Sequence, residues 1–95
     1  MSKIHVEHDR LIIKSLFSSR EIPYNSIQRM VVSTVLSLCD ELGLFLYCPD
    51  QILIDELDPK FPAIIKALNF PALFGPNWYA RVEAGEVLEW IKPKQ

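Results

Sequence analysis

Glycine is scarce in this chain: 95 residues contain only Gly43, Gly75 and Gly85. They are too few and too scattered for a phosphate-cradling loop or a dinucleotide fingerprint. No G-x-S-x-G elbow and no D-x-D-x-D-G calcium loop is present. The two cysteines, Cys39 and Cys48, stand nine apart with no Cys-x-x-Cys, and read as buried, reduced thiols. Neither has a histidine near it in sequence to make a thiolate, and an apolar strand around Cys48 would raise its pKa. The longest apolar run, residues 43–48, has strand length and falls far short of the roughly 18 residues that span a bilayer. The N-terminus opens on Ser2, Lys3, His5 and Glu7 with no apolar signal region, so a cytoplasmic location is expected. Together these absences point away from catalysis, and no cofactor is expected.

What is there is a soluble composition, with 49% hydrophobic and 23% charged residues. The length suits a single domain over residues 1–95. The net charge of −2 hides an asymmetry. Residues 1–30 carry five Lys/Arg against three acids, whereas residues 31–90 carry three against nine. That acidic bulk repels phosphate backbones, so no nucleic-acid partner is expected. It suits a basic protein partner through long-range steering.

Hydrophobic periodicity gives an α+β reading. Ile4 and Val6 alternate with Lys3, His5 and Glu7, which makes a half-buried strand. A turn at His8-Asp9-Arg10 leads into a second strand over residues 11–16, completing an N-terminal hairpin. Ser18-Ser19 marks the next turn, and the short strand after it ends at Pro23 or lies at an edge. Residues 26–42 admit two readings. Ile27, Val31, Val35, Leu38 and Leu42 form a helical stripe, with Asn25 or Ser26 to cap it and Gly43 to close it. The β-branched run at 31–35, and Asp40 and Glu41 at what would be a helix C-terminus, favour strand instead.

Pro49-Asp50 between two apolar runs predicts a second hairpin at about 44–55. Asp58-Pro59 predicts a helix at about 59–68, capped by Asp58 and lined by Phe61, Ile64, Ile65 and Leu68. Residues 70–75 read as a proline-interrupted loop. A short C-terminal helix follows, with Asn77 as its cap and Gly85 as its stop, and then a final strand over 86–91. The expected architecture is an antiparallel sheet packed on the 59–68 helix.

The candidates for chemistry are few. His5, Glu7 and Asp9 share a strand face and are metal-capable types, but the set is open and read as solvated surface. His8 would point inward at the core edge. Asp55, Glu56 and Asp58 cluster after the second hairpin, and Glu83, Glu86 and Glu89 recur at spacing three; both groups read as acidic surface. Six of the ten aromatic residues fall between residues 61 and 90. Phe61 and Trp90 read as core. Phe74, Trp78 and Tyr79, with Glu83 and Glu86 beside them, are the candidate partner-binding residues.

The hairpin ending in Leu11-Ile12-Ile13, the step Arg20-Glu21-Ile22-Pro23-Tyr24-Asn25-Ser26-Ile27, the later hairpin, and Asp58-Pro59-Lys60-Phe61 with its amphipathic helix resemble small bacterial pleckstrin-homology-like domains. The resemblance is one of pattern over about residues 4–68. It implies a bent antiparallel sheet packed on one helix, serving binding or assembly rather than catalysis. The chain departs from that family in continuing past the helix, and in a length that falls short of a full seven-stranded barrel. The expected function is a small accessory or immunity-type protein-binding domain. Its alternatives are a small hydrolase or metal-dependent enzyme, and a membrane-surface or phosphoinositide binder through Arg10, Lys14 and Arg20. A membrane partner is not the expectation, and a homodimer stays open.

Overall fold

Two antiparallel sheets and three short helices make up the computed structural model, which describes residues 3–34 and 41–93. The first sheet has the order β1 (Lys3–Val6), β2 (Arg10–Lys14), β3 (Ser19–Pro23). Its register pairs Ile4 with Ile13 and Leu11 with both Val6 and Ile22, so these side chains share the inner face. The strand after the first hairpin ends at Lys14 and not at Leu16, because the turn sits at Ser15–Ser18. There Ser15 N–H donates to the Ser18 carbonyl at 2.8 Å, and the two hydroxyls meet at 2.6 Å. Leu16 and Phe17 are therefore left exposed at the tip. His8, expected inward, is exposed: the β1–β2 turn carries it past the edge of the core.

Pro23 closes an edge strand, where its missing N–H costs no ladder bond. Tyr24 then anchors the bend. Its N–H donates to Asp9 O at 3.0 Å and its hydroxyl to Glu7 O at 2.5 Å, and Ile27 drops into the core just after it.

The second sheet has the order β6 (Gln51–Asp55), β5 (Gly43–Tyr47), β4 (Arg29–Ser33), β7 (Leu88–Ile91). Residues 29–33 are strand, so the helical alternative for 26–42 does not hold over its described part; residues 35–40 lie outside the described residues. Helical spacing put Ile27 and Val31 on one stripe. Pairing with strands on both sides instead buries Met30 and Val32 and turns Val31 to the opposite face. The second hairpin forms as expected around Cys48-Pro49-Asp50, with Cys48 N–H donating to Asp50 O at 2.9 Å. The described residues hold seven strands of only four or five residues each, divided between the two sheets.

The helices are α1 (Phe61–Leu68), α2 (Phe70–Phe74) and α3 (Trp78–Glu83). α1 begins two residues later than expected. The Asp58 carboxylate accepts from the Lys60 N–H at 2.9 Å and its carbonyl from the Phe61 N–H at 2.9 Å, so Asp58 and Pro59 build the turn ahead of the helix. Asn69, left-handed at φ 57°, ends it.

The expected loop at 70–75 is largely α2. Pro71 sits in its first turn, where a missing N–H removes a donor that had no helical partner. The side chain of Asn77 does not cap α3; its carbonyl accepts from the Arg81 N–H at 3.1 Å. Gly85, at φ 101°, closes α3. Its N–H reaches Val82 O at 3.0 Å, and that of Glu86 reaches Arg81 O at 3.1 Å. Inner faces and helices meet in one cluster of buried residues, with Leu11, Leu44, Ile64, Phe70 and Val82 fully buried in it.

Candidate functional site: an apolar depression with an acidic rim

The first turns of α1 and α3 lie side by side and leave an open depression of about 270 Å³ between them. Phe61, Pro62 and Ile65 line it from α1, and Trp78 and Tyr79 from α3. Phe61 and Trp78 are buried and form its floor, while Tyr79 is 40% exposed. A chain of edge-to-face rings supports that floor from behind. Phe74 packs on Phe70 at 5.1 Å, Phe70 on Trp78 at 5.0 Å, and Trp78 on Tyr79 at 5.5 Å.

Carboxylates gather beside this depression. Glu56, just past β6, accepts the Tyr79 hydroxyl at 2.8 Å on one oxygen and the Leu42 N–H at 2.9 Å on the other. That hydrogen bond, then desolvation and the negative charges of Glu56 and Glu83, push the Tyr79 phenol up to about 12. The neighbouring Asp55 carboxylate, foremost as an acceptor for the protonated form, with slight desolvation and the charges of Asp55 and Glu56, holds the Glu41 carboxyl above its ordinary value of 4.5. The stabilisation from this proton is present below 4.5 and is lost as pH rises through the raised value, leaving like charges adjacent. Glu41→Gln keeps a donor toward Asp55 at every pH. Thermal melts followed by circular dichroism should show a higher midpoint for this variant at neutral pH and little change well below 4.5. A lowered midpoint at neutral pH would contradict the repulsion.

The five residues marked out by the sequence do not form one site. Trp78 and Tyr79 line the depression, and Glu83 acts on Tyr79 from the same helix. Phe74 and Glu86 belong to a separate arrangement around Arg81. That guanidinium holds both Glu86 oxygens, at 3.1 and 3.2 Å, and donates to the Phe74 carbonyl at 3.2 Å. Trp78 is a core ring rather than an exposed anchor. Glu41, Glu56, Phe61 and Ile65 were not read as binding residues. Local sequence carries no signal for Glu56, whose partner Tyr79 lies 23 positions away.

The other candidates are occupied differently. Asp9 pairs with Arg10 at 3.0 Å, which lowers its pKa chiefly through that hydrogen bond, and Arg10 also holds Glu21 at 2.8 Å. His5, Glu7 and Asp9 are all exposed, and among the described residues no group of three His, Cys, Asp or Glu side chains is placed to hold a metal ion. Arg20 pairs with Asp50 at 3.3 Å, so two of the three cations considered for an anionic surface face carboxylates of the same chain. Cys48 is a buried free thiol whose pKa burial pushes up. No described helix is long and apolar enough to cross a membrane.

The fold is that of an α+β domain built on two antiparallel sheets of three and four strands. Comparison with protein-family models, with curated proteins and with solved structures returned no match.

Proposed function

We propose that this chain is a non-catalytic binding domain that takes a basic, partly apolar segment of a protein partner in the depression between α1 and α3. The observation that carries this reading is the join between the apolar floor and the carboxylate rim, made by the Tyr79–Glu56 hydrogen bond. Ring edges and Ile65 offer desolvated contact area, the setting in which binding energy concentrates. Glu56 and Glu83 beside Tyr79, with Asp55 and Glu41 next to Glu56, supply negative potential alongside for a Lys or Arg head whose stem lies on the aromatic floor. A cationic ligand also relieves the crowding that raises the Glu41 pKa. The proposal keeps the broad role in binding or assembly that the pleckstrin-homology-like resemblance implies.

Selection from a random displayed peptide library tests it. Recovered peptides should be rich in Lys or Arg next to an apolar residue and should bind more weakly as salt is raised. Tyr79→Ala should weaken them by roughly 30-fold, as loss of a central aromatic contact does. Glu56→Gln, which removes the charge and can hold Tyr79 with its amide nitrogen donating to the phenol oxygen while its carbonyl accepts from Leu42 N–H, should weaken them less and flatten the salt dependence. Recovery of acidic peptides, or binding indifferent to both substitutions, would refute the reading.

A further inference from the structure

β6 is one of the two edge strands of the four-stranded sheet, and it differs from the other edges of the fold. Three of the four edge strands carry a feature that discourages pairing. β3 ends in Pro23, β1 bears Lys3 and His5 on its solvent face, and β7 carries Glu89 and runs into Lys92-Pro93. The fourth, β6, has no proline and no lysine over Gln51-Ile52-Leu53-Ile54-Asp55, and its one charge, Asp55, stands at its end.

The hydrogen-bond phase of β6 defines which backbone groups it offers. Cys48 N–H bonds Asp50 O and Glu56 N–H bonds Leu42 O, so the even-numbered residues of this hairpin form its hydrogen-bonded pairs. Gln51, Leu53 and Asp55 therefore turn their N–H and C=O groups away from β5. The Asp55 carbonyl already accepts from Asp58 N–H at 3.0 Å; at Gln51 and Leu53 no described residue answers these groups.

The strand sequence is close to a palindrome about Leu53. Antiparallel pairing of two copies across a two-fold axis at Leu53 sets Leu53 opposite Leu53, Ile52 opposite Ile54, and the Gln51 amide opposite the Asp55 carboxylate. Every pair is apolar with apolar or donor with acceptor, and none sets like charges together. Leu53 is 54% exposed and belongs to a cross-strand row with Phe45 and Val31, both half-buried. A second copy extends that row without a break.

The geometry points to a homodimer in which the two β6 strands add edge to edge, making one eight-stranded antiparallel sheet. The contact is isologous, so pairing uses up both β6 edges and closes rather than growing into a filament. It draws on Asp55 of the carboxylate rim but on none of the residues that line the α1–α3 depression, and it does not rest on the reading given above. A five-residue strand contact is small next to the roughly 800 Å² per partner of a standard stable interface, so the dimer should dissociate on dilution.

Sedimentation equilibrium over a wide concentration range, with hydrogen exchange read at the Leu53 amide, tests this. The wild-type chain should approach twice the monomer mass at high concentration, with slowed exchange at Leu53 under the same conditions. Leu53→Lys sets two cations together at the axis on a face where the monomer tolerates them. Leu53→Pro removes an N–H that β5 does not use. Both should stay monomeric at every concentration with unchanged circular dichroism, and for Leu53→Lys exchange at position 53 should quicken roughly tenfold or more. A wild-type chain that stays monomeric throughout, or a dimer that survives both substitutions, would overturn the inference. Capture of β6 by an extended strand of another protein would appear as the first of these.

Discussion

Phe70→Ala should lower the unfolding free energy by about 3–5 kcal/mol, the range for truncating a fully buried phenylalanine. Phe70 is 0% exposed and is the middle ring of the stack, packed on Phe74 on one side and Trp78 on the other. Alanine opens a cavity that two rings on short, separate helices cannot close without shifting both. A domain of this size holds about 5–15 kcal/mol in total, so the loss takes a large share. The thermal midpoint should fall by roughly 12–40 °C, at about 4–8 °C per kcal/mol. Tryptophan fluorescence suits the measurement, since Trp78 borders the new cavity. A shift of only a few degrees would show that α2 does not seal the core.

Leu11→Ala should cost about 2–5 kcal/mol, although it lies in the other sheet and far from Phe70 in sequence. Leu11 is 0% exposed, lies in β2, the central strand of its sheet, and faces Val6 and Ile22 across both ladders. Three strands of four or five residues make at best a marginal sheet alone, and this one is stabilised by the core it shares with the second sheet and α1. The expected result is a single transition for both variants, with fluorescence near Trp78 and far-UV circular dichroism moving together. Two separated transitions in Leu11→Ala would mean that the sheets hold separate cores.

The legible parts of the fold are those where pattern and local chemistry agree. Pro49-Asp50 gave the second hairpin because its turn is made by the turn residues themselves, and Gly85 gave the end of α3 for the same reason. Residues 26–42 were ambiguous because Ile27 and Val31 satisfy a helical stripe as well as a strand, and nothing local says that β5 and β7 will flank them. α2 was hidden because Pro71 breaks a helix interior yet suits a first turn, and which of these applies depends on where the helix begins. Of the candidate site, Trp78, Tyr79 and Glu83 could be picked out by residue type. Their separation from Phe74 and Glu86 could not, since it turns on which carboxylates reach Arg81 and which reach Tyr79.

By itself the sequence determined an α+β chain with two hairpins, an amphipathic helix after Asp58-Pro59, an acidic second half and an aromatic end. These depend on neighbours within a few positions, where alternation, turn chemistry and charge act directly. The tertiary structure alone decided that Glu56 meets Tyr79 at the mouth of an apolar depression, that Trp78 is its floor, and that β6 is the undefended edge of its sheet. Each depends on contacts between residues far apart in the chain or on sheet order, and short-range pattern encodes neither.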